Sequence, residues 1–224
     1  MQRIRIQYAK VEGLRYTGNL DMHRVWERSL RRARLPVAYS QGFHPQPKIQ
    51  QGYPLPLGYL SDAEVVDVWL DQEQVDPEGI RAALQPAIPG GIEIQSVQVV
   101  DLRETPLQAR ARSAEYRVVP LTEYSIPEIR AGIERILSQT ALPRTRRNKP
   151  YDLRPLIESL TFDVETEPPA ILMQLAAREG ATGRVEEVLD ELGIRFEQAR
   201  VIRTKINFAA DEKAATPVTE PYEE

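Results

Sequence analysis

Two Leu-Pro pairs, Leu35–Pro36 and Leu142–Pro143, stand at matching points in the two halves of this 224-residue chain. They constrain its fold more than any other feature. A proline has no amide to give to a further helical turn and drives its predecessor out of helical geometry, so each pair ends a helix. Each also opens a loop with further prolines that leads into a strand. Reading outward from these two stops gives the same order of elements twice.

In the first half Arg3–Tyr8 alternates, with Ile4, Ile6 and Tyr8 on one face, and the strand could resume near Leu14–Tyr16. Asn19 is a plausible N-cap. The helix it opens runs to about Arg34, with Met22, Val25, Trp26, Ser29, Leu30 and Ala33 as its buried stripe. Pro47–Gly52 is extended, and Glu64–Leu70 alternates as a strand. Asp76–Pro77 starts a short helix to about Leu84, Pro89–Gly91 turns, and Ile92–Val100 is a strand. The second half gives strand Glu115–Leu121, helix Ile126–Ser138 and strand Asp152–Val164 interrupted at Pro155. Strand Ala170–Arg178, helix Gly183–Leu192 closed by Gly193, and strand Phe196–Phe208 follow. The order βαββαβ, repeated, predicts an α+β fold of two tandem ferredoxin-like units with antiparallel sheets. The expected units are 1–104 and 114–208 with a junction at 105–113, and 209–224 reads as a disordered acidic tail.

Composition excludes several chemistries. There is no cysteine, so no disulfide, thiolate zinc site, cysteine-ligated iron–sulfur cluster or cysteine nucleophile is available. No apolar run is long enough to span a bilayer, and the first residues read as a strand and not as a signal peptide, so a cytoplasmic protein is expected. Walker, Rossmann, HExxH and GxSxG motifs are missing. No metal or cofactor is expected. Charge is segregated: residues 1–50 carry ten Lys or Arg against three Asp or Glu, and 101–150 carry ten against six. Residues 51–100 carry one against eight, and 151–200 five against eleven. A fold could gather the two basic blocks on one side, although solvated helix faces show the same pattern.

Three constellations could carry function. Arg24, Arg28 and Arg31, with Arg32, Arg34 and His23, line the helix face opposite Trp26 and Leu30, and guanidinium forks match phosphate oxygens. Arg144, Arg146, Arg147 and Lys149 crowd one irregular loop, where a phosphate would relieve their repulsion; Asp152 beside Arg154 reads as an ion pair anchoring its base. Tyr39, Phe43, His44 and Lys48, with Gln41, form a Pro-aromatic loop suited to stacking on bases and holding their backbone. His44 as general base with Lys48 or an arginine beside it would make a metal-independent endoribonuclease, but no full catalytic set assembles. A pure protein-docking loop is a third possibility, one that the net negative charge favours.

The stretch RIRIQYAKVEGLRYTGNLDMHRVWERSLRRARLPVAYSQGFHPQPKIQQGYPLPLG and the later NKPYDLRPLI resemble the radical-SAM-linked protein family, across roughly residues 1–208. Members of that family are fused to, or encoded beside, radical SAM proteins. The resemblance implies a partner of that class, and RNA as a possible substrate. This chain has no cysteines for a cluster, so it would be a non-catalytic accessory that binds or presents RNA to a separate radical SAM enzyme.

Overall fold

The computed structural model describes residues 1–211. The first half comprises β1 (Gln2–Lys10), α1 (Asn19–Arg32), β2 (Ile49–Gln51), β3 (Leu60–Leu70), α2 (Pro77–Leu84) and β4 (Ile92–Val100). A short α3 (Leu107–Arg110) leads into β5 (Ala111–Pro120), α4 (Ile126–Ser138), β6 (Pro143–Arg146) and β7 (Lys149–Asp152). The chain continues through β8 (Ile157–Asp163), β9 (Ala170–Arg178), β10 (Ala181–Thr182), α5 (Val185–Glu191) and β11 (Ala199–Phe208). The fold is α+β. The first half pairs in the order β4-β1-β3-β2 and the second in the order β8-β9-β5-β11. Numbered within each half, the first order is 4-1-3-2, and both are compatible with ferredoxin-like units.

The halves do not keep separate sheets. Among the described residues nine strands join into one, because β11 pairs in parallel with the start of β3 through Ile202↔Leu60 and Arg203↔Ser61. Two cores lie against this sheet. Ile4, Ile6, Trp26, Leu30, Val66 and Val68 centre the first; Tyr116, Val118, Ile133, Leu160, Ile171 and Val201 centre the second. Tyr8 of the first core stands opposite Glu64, and Tyr116 of the second stands opposite Arg203. Glu64 and Arg203 form a buried ion pair across the seam.

Several local expectations change. Glu12–Leu14 is a 3-10 turn and not a resumed strand; the buried Lys10 ammonium draws the loop in by donating to the carbonyls of Arg15 (3.2 Å) and Thr17 (2.9 Å). Gly18, not Asn19, is the N-cap of α1. The expected junction is largely structured, since it holds α3 and the start of β5. The expected tail begins ordered: Ala209 N donates to Arg110 O (2.7 Å), and Asp211 accepts from Thr105 N (2.9 Å). Residues 212–224 of that tail lie outside the described residues.

The Pro-aromatic segment splits into two parts with different fates. Its second part, residues 52–59, is the latch between the halves: Leu55 and Tyr59 are buried in the second core, and Tyr59 stacks on Phe196 at 5.4 Å between ring centroids. Arg203 holds this strip by donating to Tyr53 O (2.8 Å), and Arg15 donates to Gly58 O (3.0 Å). Gly58 has φ +84, and a Cβ there would sit 3.1 Å from the Phe196 ring, so glycine lets the strip turn this close to the core.

Much of the charge segregation is also resolved inside the fold. Arg3 and Arg5 of β1 grip Asp67 of β3, Arg5 and Arg110 reach Glu104, Arg144 pairs with Glu191, and Arg200 with Glu12. Basic and acidic blocks alternate along the chain because many of their members face each other in space.

Candidate functional site

Subtracting the internal pairs leaves few uncommitted cations near the expected loops, and they cluster at two places. Among the described residues Arg28 and Arg31 on α1, Arg34 just beyond it, and Arg146, Arg147 and Lys149 on the second loop, have no carboxylate within ion-pair distance. Arg24 is held by Asp21 at 3.3 Å, although both are well exposed. Arg32 turns inward and donates to Ala87 O (2.6 Å).

The first cluster borders a groove of about 300 Å³ between the end of α1 and the base of the aromatic loop. Leu30, Leu35, Val37 and Ile49 give it an apolar floor, Tyr39 and Pro47 form one wall, and Glu27, Arg31 and Arg34 form the rim. The loop itself is an ordered tongue. Tyr39 bridges Pro47, and Ser40 and Gln46 close it through Ser40 N to Gln46 O (2.8 Å) and Gln46 N to Ser40 Oγ (2.9 Å). Gly42, at φ +131, makes the bend, and Phe43 at the tip is fully exposed. His44 stands exposed next to it, with no hydrogen-bond partner among the described residues. Lys48 is half-buried; its backbone is tied to Ala38 O (2.8 Å) and Trp69 N (3.1 Å), and its ammonium has no partner among the described residues.

The second cluster rides on a β-hairpin, where an irregular loop was expected. β6 and β7 pair from Pro143↔Asp152 to Arg146↔Lys149, leaving a two-residue turn, Arg147–Asn148, with both φ values positive (47° and 62°). That is the geometry of the primed turns that match the twist of paired strands. Three residues expected at this site have structural employment instead. Arg144 is hydrogen-bonded to Glu191, which holds its guanidinium above its ordinary pKa, so it is not a free phosphate ligand. Asp152 and Arg154 are not the expected ion pair. Asp152 Oδ1 accepts from the backbone amides of Leu142 (2.7 Å) and Arg154 (2.9 Å), whereas the Arg154 side chain donates to the carbonyls of Ile157 and Leu137, each at 3.2 Å.

Topology aims both loops the same way. β1 runs against β3, β3 along β11, and β11 against β5, so β1 and β5 are parallel. Each is followed by a helix that returns to its starting end. α1 delivers the chain to Val37 beside Leu70, which pairs with Gln2. α4 delivers it next to Arg154 and Ile157, whose partner Leu175 pairs with Ala114. The tongue and the hairpin therefore leave the same end of one helix layer. A backbone signal marks both: the described non-glycine residues with positive φ are Arg34, Arg147 and Asn148. Arg34 closes α1, with Leu35 N donating to Leu30 O and Arg34 N to Arg31 O, a position usually taken by glycine. One arginine on each loop thus sits where glycine or asparagine would cost less.

The sheet's opposite face offers no stacking platform. In the second half it presents Ser113, Glu115, Ser159, Thr161, Gln174 and Asn207; in the first half Trp69 is covered by the Arg3 guanidinium at 4.8 Å. Single-stranded RNA bound by stacking on a ferredoxin-like sheet needs exposed aromatics there. Among the described residues no group of His, Asp or Glu is arranged to hold a metal ion, and no helix is long and apolar enough to cross a membrane.

No curated protein matches the chain. A family model described as an uncharacterized protein conserved in bacteria, DUF2344, matches residues 3–185, which include α1, the tongue, the latch and the whole hairpin. The chain belongs to the DUF2344 family.

Proposed function

We propose that this protein binds RNA and presents it to a separate radical SAM enzyme in the cytoplasm, and is not itself the catalyst. The observation that carries the RNA part is the groove in which Arg31 and Arg34 rim an apolar floor beside Tyr39 and the exposed Phe43. Guanidinium groups take phosphates, and the aromatics offer faces to unstacked bases. Arg146, Arg147 and Lys149 at the same end of the helix layer extend the cationic track. The partner class comes from the resemblance of the SQGFHPQPK and YDLRPLI strings to radical-SAM-linked proteins.

Fluorescence anisotropy with single-stranded and structured RNA at two salt concentrations tests the proposal. Arg31→Ala with Arg34→Ala should weaken binding and lower the salt slope by about two, one for each phosphate that is no longer neutralised. An unchanged affinity in that double variant would remove the groove from the interface. One observation favours a second reading, a protein-docking module: the tongue ends in a bare apolar side chain, Phe43. That reading requires complex formation with the enzyme to survive nuclease treatment and to fail in Phe43→Ser. Nothing in the geometry favours the ribonuclease, since among the described residues no group orients His44.

A further inference from the structure

Beside the basic hairpin lies a second cavity, of about 380 Å³, lined by Arg146, Tyr151, Asp152, Leu156 and the backbone strip Gly180–Thr182. Its chemistry differs from that of the groove. Leu156 gives a small apolar floor, and Tyr151 an aromatic wall. Asp152 uses Oδ1 on two backbone amides, while Arg146 is exposed at the cavity with no carboxylate partner among the described residues. Gly180 and β10 form the far side: β10 pairs with β9 along one edge and, among the described residues, leaves the other unpaired. An unpaired strand edge offers amides and carbonyls in a row, the groups that read the edge of a planar heterocycle.

The Tyr151 wall is backed by a carboxylate, Glu187. The Tyr151 hydroxyl is buried against Glu187, which lies behind the wall and does not line the cavity. Burial, and then its hydrogen bond to Glu187, push the hydroxyl up to about 12, so Tyr151 offers the cavity its neutral ring face. The cavity is wider than one water needs and is shaped by one aromatic face, one strand edge, the Arg146 cation and the Asp152 carboxylate, whose Oδ1 is held by backbone amides.

We propose that this cavity holds a single nucleotide unit, with Tyr151 against the face of the base, Gly180–Thr182 along its edge and Arg146 on the adjoining phosphate. The inference rests on the RNA-binding proposal and gives it a base-specific subsite distinct from the α1 groove. The same nucleotide chemistry could come from an unstacked base of the strand or from a free mononucleotide.

The test uses the full-length protein with a short RNA and a set of oligomers carrying one abasic site moved along the strand. Mononucleotides AMP, GMP, CMP and UMP are titrated in parallel. One abasic position should weaken binding about tenfold, the scale of one stacked base. Ala181→Leu, which fills the cavity without touching the hairpin core, should erase that discrimination. Tyr151→Phe should keep most of it and Tyr151→Ala should not. If every abasic oligomer binds like the parent, the subsite is overturned while RNA binding itself stands. If no RNA binds at low salt and no mononucleotide binds, both proposals fall. A mononucleotide that binds in an Ala181→Leu-sensitive way, with RNA ignored, supports the cavity and assigns it to a free nucleotide.

Discussion

The two halves of this molecule share helix direction and a strand order compatible with ferredoxin-like units, yet they treat the outer face of the sheet in opposite ways. In the first half that face carries charge in its centre: Asp67, fully buried, receives Arg3 Nε at 3.0 Å and Arg5 Nε at 2.8 Å, and the Glu104 segment closes over them. In the second half the central position of β9 is Gln174, which donates to Ser113 Oγ and Glu158 Oε2, each at 2.8 Å, on a face left to solvent. The same kind of sheet thus serves once as a frame sealed by its own linker and once as an open surface. Charge in this chain is first a folding device, and only the arginines left over after pairing are free for a ligand.

Breaking the sealed face should have the largest effect. Asp67→Ala leaves buried Arg3 without a carboxylate and Arg5 with Glu104 alone, a loss of about 3–5 kcal/mol by the behaviour of broken buried pairs. Gln174→Ala, its counterpart in the second half, removes two partly exposed hydrogen bonds and should cost about 1 kcal/mol. Chemical denaturation of both variants makes the comparison, and equal losses would mean that the two faces are energetically alike.

The seam sharpens the contrast through pH. Burial lowers the Lys10 ammonium from its ordinary value to about 8, whereas burial pushes the Tyr8, Tyr59 and Tyr116 hydroxyls up. Between pH 8 and the ordinary lysine value the unfolded chain holds a proton that the native chain has released, so stability rises with pH, by about 3 kcal/mol at most. Above about pH 10 the unfolded tyrosines lose protons that the native ones keep, and stability falls. A stability–pH curve that peaks near pH 10, and whose rising limb flattens in Lys10→Met, is the expected result. A curve that only declines above pH 8 would show that Lys10 does not dominate the seam.

These effects also explain what can and cannot be read from the chain. Period-two and period-3.6 patterns mark most strands and helices, because Ile4/Ile6, Trp26/Leu30 and Ile129/Ile133 bury one face and little else competes. The charge pairs are hidden, since Arg3, Arg5 and Asp67 alternate with apolar residues just as a solvated strand face would. Only tertiary closure by Glu104 turns them inward. The destination of Leu55 and Tyr59 in the other half's core is likewise a long-range fact with no local mark. Of the basic residues, Arg28, Arg31, Arg146 and Arg147 stand out by charge density, but nothing in that density separates them from Arg144, which Glu191 claims. The hairpin escapes sequence reading because its turn is Arg147–Asn148, where the usual signal is asparagine followed by glycine.

That atypical turn gives the smallest effect and the cleanest separation of folding from binding. Arg147, at φ 47°, occupies a left-handed position that costs an ordinary side chain about 1 kcal/mol and asparagine less. Arg147→Asn should therefore raise stability slightly, by less than about 1 kcal/mol, while removing one cation from the track. If the hairpin contacts RNA, the same variant should weaken binding and reduce the salt slope by about one. Arg34→Gly makes the matching change at the end of α1, at φ 56°. Stability and binding moving in opposite directions at both positions would mean that each loop carries its arginine for a ligand at the expense of its own backbone. Improved stability with unchanged binding would leave these two residues as turn formers of poor choice, and would confine the interface to Arg31, Tyr39 and Phe43.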